Sequence, residues 1–380
     1  MPHPKVLFRL AAVLLFGACP TFAKVFVVGT CEPPLPPFAT ISLAVATAPP
    51  GSVVDICPGI YPEQVTITKS MSLVGIVSGN AFRPVITVPP SGLSARTDPI
   101  GYSIAAMVTV LTGKVNISQI TVDGTGNTVD AAGGQGTLLV GIFYNTTSSG
   151  RVSYVTARNL VTGTGAGIGI WAENESAMNE SVEITNNSIH GFDYSGIEAR
   201  TNQTGSPYAT VSENTITDGG VPSLTMAGGV VWVGGSGGKI SDNVIDTVFQ
   251  GIAIVVGTSD VTVSNNTVTN VPGVGLWIGA GVSVDAESNQ ISNTLVGMEL
   301  FSATSTFKNN TFTNTTLGIE FNCNPATLDS NFINDATTGT DNSPAITLGG
   351  LFISNVDAIT TGGCPSPPPA NAGAIPANAH

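Results

Sequence analysis

The sequence predicts an all-β fold: a right-handed single-stranded parallel β-helix, or solenoid, with one N-terminal capping helix. Three observations lead to this fold class. An asparagine recurs every 21 to 29 residues, a glycine recurs before an alternating apolar pattern, and the 380 residues include 45 glycines but only 10% charged side chains. Helical surfaces need more charge than this, whereas turns rich in Ser, Thr, Asn and Gly do not.

The asparagine belongs to a repeated phrase, apolar–x–x–Asn–x–apolar. A fixed period in the twenties is typical of a solenoid, in which each coil packs only on its neighbours. At a sharp bend asparagine tolerates positive φ, and its amide can bond the equivalent asparagine one coil away, since stacked strands lie about 4.8 Å apart. We therefore expect a ladder formed by Asn187, Asn214, Asn243, Asn266, Asn289, Asn310 and Asn331.

A second phrase, Gly–apolar–x–apolar, follows each asparagine, and upstream copies begin at Gly141 and Gly167. Its period of two predicts a strand with one buried face, so the middle residues should form an outward row. A leucine-rich repeat is excluded because its dense leucine spacing and helical return arm are missing. The predicted row contains Phe143, Gly169, Glu198, Val231, Ala253, Trp277, Glu299 and Glu320, and the next outward positions are Asn145, Trp171, Arg200, Val233, Val255, Gly279, Phe301 and Asn322.

Residues 1–23 have the pattern of a signal peptide. Lys5 and Arg9 precede a short apolar run, and a small-residue cleavage site ends at Ala23. Lipid anchoring at Cys19 is the alternative. The run is too short to span a bilayer, and no later stretch is long and apolar enough. We therefore expect an exported protein, whether extracellular, periplasmic or at the cell surface.

The mature chain is predicted to have two further regions. Residues 24–364 would form the β-helix domain, and the Pro- and Ala-rich residues 365–380 a disordered tail. Both ends of a stack of strands must be covered. Apolar residues at helical spacing within 38–48, followed by Pro49-Pro50-Gly51, predict a short helix over the N-terminal opening.

The charge balance excludes one class of partner. The whole chain has a formal charge of −13, and loss of the two basic residues of the signal peptide would leave −15. Such a chain repels nucleic acid and lacks the basic stripe that follows phosphates.

Four cysteines remain after signal cleavage, an even number that favours disulfides in an exported protein. Proximity along the chain favours the pairs Cys31–Cys57 and Cys323–Cys364, although three connectivities are possible. A metal site on these cysteines is the weaker interpretation, since neither pair has close ligand spacing.

The N-terminal segment from Gly51 to Val65, and the strand Ser72-Leu73-Val74-Gly75, resemble the first coil of the pectate-lyase-like superfamily of right-handed parallel β-helix repeat proteins. The resemblance covers roughly residues 24–364 and implies the fold. It implies no single activity, because this superfamily contains lyases, hydrolases, esterases, epimerases and adhesins.

No specific enzyme family is matched. The segment Gly59-Ile60-Tyr61-Pro62-Glu63 fits the Gly-x-Tyr-x-Glu element of pectin methylesterases, but the later paired aspartates and arginine of that family have no counterpart. The Gly-His-Gly of polygalacturonases and the arginine-centred site of pectate lyases are also missing from the sequence.

The outward row supplies the first candidate catalytic residues, Glu299 and Glu320, which would lie one coil apart. Two carboxylates that close could share a proton, bind calcium, or act as acid and nucleophile on a glycosidic bond. Trp277, Phe301 and Trp171 are candidate substrate-binding residues that could stack on sugar rings. The alternative is a solvated sheet face on which the two glutamates simply spread apart.

A second candidate cluster consists of His190, Asp193, Glu198 and Arg200. It contains the only histidine between the two chain ends and one of few arginines. A histidine at the end of a strand is equally ordinary in a turn, so a purely structural role remains the alternative.

These observations predict a secreted or envelope protein that binds polysaccharide or a cell-surface glycan along one outward strand face, and that could cleave it as a lyase or glycoside hydrolase. No cofactor is required, and calcium could bridge an acidic glycan to this acidic chain. The alternative is a non-catalytic structural or adhesive solenoid that contacts another macromolecule. The oligomeric state is left open.

Overall fold

The computed structural model describes residues 23–33, 35–77, 82–98, 101–129, 136–173, 181–200, 209–219, 228–234, 236–255, 259–301, 305–322, 326–341 and 350–359. Within these ranges the chain forms 30 strands and one short helix. The strands pair in parallel, coil upon coil, apart from the short β7, which runs antiparallel to β8. The predicted parallel β-helix is confirmed.

Each coil contributes strands to three faces, which we name face 1, face 2 and face 3 in chain order. Face 1 contains β1 (Val25–Val28), β2 (Ser52–Ile56), β5 (Met71–Gly75), the ends of β8 (Ser103–Ser118) and β10 (Leu138–Ser153), β13 (Val182–Thr185), β16 (Ala209–Ser212), β19 (Ser236–Ser241), β22 (Ser259–Ser264), β24 (Val284–Glu287), β26 (Thr306–Lys308) and β28 (Thr327–Asp329).

The chain turns from face 1 into face 2. Face 2 contains β3 (Ile60–Pro62), β6 (Val85–Thr87), β9 (Thr121–Asp123), β11 (Thr156–Leu160), β14 (Ser188–Phe192), β17 (Thr215–Gly219), β20 (Val244–Val248), the first halves of β23 (Thr267–Ile278), β25 (Gln290–Leu300), β27 (Thr311–Glu320) and β29 (Asn331–Asp341), and β30 (Leu351–Ala358).

Face 3 completes the coil. It contains β4 (Val65–Ile67), the first halves of β8 and β10, β12 (Gly167–Glu173), β15 (Ser195–Arg200), β18 (Gly228–Val233), β21 (Gln250–Ile254) and the second halves of β23, β25, β27 and β29; β7 (Arg96–Thr97) pairs at its margin.

The core fills the space enclosed by the three faces. On face 3 the two apolar positions of the glycine phrase point inward, as Ile252 and Ile254 do, and both join the main apolar cluster. The residue between them, Ala253, belongs instead to a separate cluster on the other side of the strand. The alternation predicted from the sequence is therefore present, and it defines which side of face 3 looks outward.

The asparagine ladder lies at the corner between faces 1 and 2. Asn266 is fully buried, and its Nδ2 donates to Asn289 Oδ1 at 2.9 Å and to the carbonyl of Ile240 at 3.0 Å. The rungs from Asn187 to Asn310 repeat this pattern, and Asn331 ends the ladder with its Nδ2 donating to the Phe307 carbonyl. Because these amides are buried and hydrogen-bonded to one another, a different residue at the corner would leave its neighbours without partners, which makes the corner specific for asparagine.

One detail of the predicted ladder is wrong. The positive φ of the corner belongs to the residue before each ladder asparagine, such as Asn265 at 56° and Asn309 at 54°. The asparagine itself has ordinary backbone angles, because it must turn its amide inward while its neighbour makes the bend. The ladder asparagines are therefore selected for hydrogen bonding rather than for φ.

Glycines of face 3 stack on one another from coil to coil. A Cβ on Gly275 would lie 2.3 Å from Ile291 Cγ2 and 2.8 Å from the Gly297 carbonyl oxygen, both impossibly close. The repeated glycine thus allows the turn into face 3 to approach the next coil.

The N-terminal opening is covered by α1 (Ile41–Thr47), which buries Ile41, Ala44 and Val45 against the first coils. The predicted helix spanned 38–48. It is shorter because Thr40 is its N-cap, with Oγ1 accepting from the Leu43 N–H at 3.2 Å.

Glu63 fixes the start of this helix. Its carboxylate accepts the backbone N–H groups of Ile41 and Ser42, both at 2.8 Å, and the Ser42 hydroxyl at 2.6 Å. Tyr61 donates its hydroxyl to the Cys57 carbonyl at 2.7 Å. Both residues of the Gly-x-Tyr-x-Glu segment therefore have structural partners in the cap.

Cys31 and Cys57 form a disulfide with a Cα–Cα distance of 5.6 Å, as predicted. Cys323, Cys364, the predicted signal peptide with Cys19, and the predicted tail lie outside the described residues, so those boundaries and the second disulfide stay predictions. Within the described part of the chain, no helix is long and apolar enough to cross a membrane.

Candidate functional site

The outward side of face 3 brings the first pair of candidate residues together. Trp277, Glu299 and Glu320 pair in register on consecutive coils, and the backbone of Asp341 follows on the next one. Adjacent parallel strands are about 4.8 Å apart. The sequence repeat therefore predicts correctly that the two glutamates are neighbours.

Further up the same row, the register differs from the predicted one. Trp171, not Gly169, pairs with Phe143 on one side and Glu198 on the other. The segment Gly167-Ile168-Gly169-Ile170 fits the glycine phrase in two ways, since glycines alternate in it. A Cβ would clash at either glycine, but Gly169 is the one that lies in register with Gly141 on one side and Gly196 on the other.

The outward row is not uniformly exposed, which corrects the expectation of one open face. Trp171 and Glu198 are each only 1% exposed, and Val231 and Ala253 are completely buried. Trp171 belongs to a second apolar cluster that is separate from the main core. Only around Glu299 and Glu320, both half-buried, does the row meet solvent.

Glu299 is the candidate residue whose surroundings shift its pKa in a direction useful for acid catalysis. Burial raises its pKa to about 7, and the neighbouring charge of Glu320 adds to the rise. Asn322 opposes it, donating from Nδ2 to Glu299 Oε1 at 3.3 Å. Near neutral pH this carboxyl exists in both protonation states, which is what proton transfer to a substrate requires.

Two aromatic side chains lie beside this carboxyl. The rings of Trp277 and Phe301 are 5.7 Å apart between centroids and tilted by 52°. Trp277 is only 8% exposed and packs with Val255 and Val274, so it supports the surface more than it forms it. Phe301 is half-buried and offers the more accessible ring.

The second predicted cluster divides into three separate places. Glu198 and Arg200 are together on face 3, with Arg200 Nε 3.4 Å from Glu198 Oε1, and both side chains are almost completely buried. His190 lies on face 2, in register with Arg158 and Thr217. Their strands belong to the same coil but to different sides of the solenoid, which spacing along the sequence could not reveal.

Asp193 organises a loop. Its carboxylate accepts backbone N–H groups from Thr162, Gly163 and Gly165 at 2.8 to 3.2 Å, and from Gly167 at 2.6 Å. These bonds hold the connection between β11 and β12 in place. The role is therefore structural, like that of an N-capping carboxylate.

The buried pair on face 3 is covered by two aromatic rings, of which Tyr102 is not among the candidates that the sequence provides. The Arg200 guanidinium carbon lies 4.8 Å from the Tyr102 ring centroid and 5.8 Å from that of Trp171. Burial raises the pKa of Glu198, although Arg200 and a hydrogen bond from Ser195 oppose the rise. Cation–π contacts of this kind stabilise a buried guanidinium.

Trp171, predicted to bind substrate, is thus enclosed. Its ring packs on Phe143 at 5.1 Å and on Tyr102 at 6.0 Å between centroids. It offers almost no surface to a ligand. The accessible surface around the candidate pair includes Phe301, Glu299, Glu320 and Asn322. Asn322 is significant because it contacts Glu299.

The described residues contain no preformed cluster of side chains that would indicate a metal site. Among the described residues, no group of three or more His, Cys, Asp or Glu side chains is placed to hold an ion. Two neighbouring glutamates could still share calcium with ligands from a bound glycan.

Residues 140–312 match the model of a family described as right handed beta helix region. No curated protein sequence matches the chain. Solved structures with the same fold include the GH136 lacto-N-biosidase from Eubacterium ramulus, which is 10% identical, with a TM-score of 0.58 over 88% of this chain and 68% of that one.

Two other structures are similar over more of their own length. DFA-IIIase from Arthrobacter chlorophenolicus A6, in complex with GF2, is 15% identical, with a TM-score of 0.52 over 89% of this chain and 94% of that one. The family 28 exopolygalacturonase of Yersinia enterocolitica is 13% identical, with a TM-score of 0.50 over 91% and 80%. At such low sequence identities, the structural similarity establishes the fold alone.

Proposed function

We propose that this chain, whose fold is that of the pectate-lyase-like right-handed parallel β-helix superfamily, is an exported protein that binds a neutral polysaccharide along the outward side of face 3 and hydrolyses it with Glu299 and Glu320. The observation that carries the proposal is the pair itself. A carboxyl with its pKa raised to about 7 lies in register with a second carboxyl on the next coil.

The backbone spacing of the pair suits a retaining glycosidase better than an inverting one. Such enzymes hold two carboxyl groups roughly 5 to 5.5 Å apart, one as acid and one as nucleophile. Strand positions in register on consecutive coils are about 4.8 Å apart. Inverting enzymes need a wider gap of about 6.5 to 9.5 Å for a water molecule. We therefore expect cleavage with retention of anomeric configuration.

The roles follow from the surroundings of the two residues. Glu299 keeps its proton to near-neutral pH and donates it to the glycosidic oxygen as that bond breaks. The Glu320 carboxylate attacks the anomeric carbon and forms a glycosyl ester. Water then attacks the ester and gives its proton to Glu299, which frees Glu320 and restores the acid.

The scarcity of basic residues near Glu299 argues against a polyuronate substrate and against cleavage by a lyase-type elimination. Beyond Arg200 the sequence contains only two basic residues, Lys239 and Lys308, and both lie on face 1. Nothing on the coils around Glu299 could therefore neutralise a uronate carboxylate, as a lyase must do before removing the neighbouring proton. A neutral glycan meets no such repulsion.

The names of similar structures support an action on glycosidic bonds, although they do not distinguish neutral from charged glycans. A lacto-N-biosidase and an exopolygalacturonase share this fold, so the scaffold is compatible with processing of glycosidic bonds. Phe301, supported by Trp277, gives the surface next to Glu299 an aromatic component suited to a sugar ring.

Product analysis tests the proposal. Neutral polysaccharides and polyuronates, with and without calcium, would be incubated with the wild type, with E299Q and E320Q, and with the control E287Q on face 1. We expect reducing ends without unsaturated products, a loss of at least about 100-fold in both site variants, and full activity in the control.

Other outcomes would overturn it. Unsaturated products would indicate a lyase, and calcium-dependent binding of polyuronates without products would indicate a binding module that uses the ion as a bridge. Absence of any glycan binding would favour the structural or adhesive solenoid.

A further inference from the structure

We infer that a second glycan site, separate from face 3, lies in a groove along face 2, and that it holds an extended neutral oligosaccharide. The groove has a volume of about 790 Å³. The proposal is independent of hydrolysis at Glu299 and would stand without it.

The floor of the groove is a regular series of small side chains. Val85, Thr121, Thr156, Ser188 and Thr215 occupy the same register position on five consecutive coils. At about 4.8 Å per coil they extend over about 19 Å. All of them except Val85 carry a hydroxyl group, and these groups recur at a spacing close to the advance of an extended pyranose chain, so one rung could serve each sugar.

Two exposed aromatic rings line the groove. Phe82 is 74% exposed and Tyr154 50% exposed. Exposed aromatic rings beside hydroxyl and amide groups are the combination that binds sugars, because the ring packs on the apolar side of a pyranose while polar groups take its hydroxyls.

Tyr154 occupies a position that its residue type does not favour. It has φ of 55°, as the first residue of the corner between faces 1 and 2. The equivalent corner residues of later coils are small or polar: Asn186, Glu213, Asp242, Asn265, Ser288, Asn309 and Ser330. A bulky ring in left-handed geometry is disfavoured, and such residues concentrate at binding sites. The fold does not require a tyrosine at this corner, whereas a ligand that packs on the ring would account for it.

Arg83 holds this corner. Its Nη1 donates to the Tyr154 carbonyl oxygen at 2.5 Å. Within the described part of the chain, no carboxylate forms an ion pair with Arg83, so its remaining N–H groups can donate to sugar hydroxyls. A guanidinium group holds its N–H donors in one plane, so it can bond two oxygen atoms of a ligand in a fixed geometry.

The charge of the groove selects a neutral ligand. Arg158 is paired with Asp123 at 2.8 Å, and Asp123 stays ionised because hydrogen bonds from Thr125, Asn159 and Arg158 outweigh its burial and lower its pKa to about 2. Glu213 also lines the groove and offsets the charge of Arg83. Two positive and two negative charges leave no net attraction for a polyanion.

The test uses the full chain with face 3 disabled. In a Trp277→Ala/Glu299→Gln background, calorimetry would measure binding of cello-, xylo-, manno- and maltohexaose, with a galacturonate hexamer as the charged comparison. We expect at least one neutral hexasaccharide to bind and the charged one not to bind.

Variants in the groove then locate the binding. Tyr154→Asn introduces the residue that other corners use, so the melting temperature should be equal or higher, while affinity should fall about tenfold or more. Phe82→Ala should have the same effect on affinity. Phe352→Ala removes an equally exposed ring from face 2, outside the groove, and should change affinity less than about twofold.

Retained affinity in both Tyr154→Asn and Phe82→Ala would overturn the proposal, as would the absence of binding to every hexasaccharide. Preference for the galacturonate hexamer would overturn the neutral specificity. None of these results depends on hydrolysis at face 3, so the two proposals can fail separately.

Discussion

Asn322 Nδ2 donates a hydrogen bond to Glu299 Oε1 from the next coil, at 3.3 Å. The bond stabilises the ionised form of Glu299 and opposes the two effects that raise its pKa, burial and the charge of Glu320. The protonation state of the proposed catalytic acid therefore depends on a side chain that has no chemical role of its own.

The first prediction concerns this contact. Replacing Asn322 with alanine removes the opposing bond, so the pKa of Glu299 should rise above 7. If Glu299 is the acid, the alkaline limb of the rate profile should move to higher pH. Asn293→Ala, at an exposed corner, serves as the control and should leave the limb where it is. A limb that does not move in Asn322→Ala would exclude Glu299 as its origin.

The second prediction concerns stability. Between pH 4.5 and about 7 the folded chain keeps a proton on Glu299 that the unfolded chain has released. The free energy of unfolding should therefore decrease as pH rises through this window, with a cost of at most about 3 kcal/mol above it. Glu299→Gln removes that cost, so it should be the more stable protein near pH 8 and lose its advantage below pH 4.5. Urea denaturation at several pH values measures this.

The third prediction tests the ladder. Asn266→Ala removes an amide that bonds Asn289 and Ile240 and leaves the amide of Asn243 without its acceptor. We expect a loss of about 2 kcal/mol or more, since buried groups lose their partners. Asn293→Gly removes an exposed amide at a residue with φ of 55°, where glycine is unstrained, and should cost far less. Equal melting temperatures for the two variants would show that the buried ladder adds nothing to stability.

The fourth prediction tests the stacked glycines. Gly275→Ala should disrupt the turn into face 3, because the added methyl group has no space beside Ile291 and Gly297. Gly228→Ala is the comparison, since its nearest neighbour is a side-chain carbon of Val231 at 3.3 Å. We expect the first variant to lose several kcal/mol or fail to fold, and the second to remain folded. Circular dichroism melting curves would distinguish them.

The repeat made the architecture predictable, because one phrase recurs on many coils and each copy supports the others. It also placed Glu299 next to Glu320, where coil length is constant. At Gly167-Ile168-Gly169-Ile170 the phrase is ambiguous, since two glycines satisfy it equally and only the pairing of Gly169 with Gly141 and Gly196 distinguishes them. The pattern therefore assigns Trp171 to the second outward position, whereas it pairs with Phe143 and Glu198 in the first.

Burial of the outward row was also beyond sequence reasoning. The alternation shows which side of a strand a residue occupies, but it does not show what covers that side. Glu198 and Arg200 point outward and are nevertheless enclosed, and the ring over the guanidinium is that of Tyr102, which immediately precedes β8. His190 was grouped with them because it is close along the chain, although the coil carries it to another face.

The corner between faces 1 and 2 has a consequence for how such a chain can change. From Tyr154 onward, two residues make this bend on every coil described: one with positive φ, then one that points inward. Each coil is thereby returned to the same starting point, whatever length of chain preceded it. Segments that lead from face 3 back to face 1 can lengthen or shorten without shifting the strands that follow. The segments that follow Glu299 and Glu320 along the chain can therefore diversify by insertion and deletion without rebuilding the interior of this solenoid.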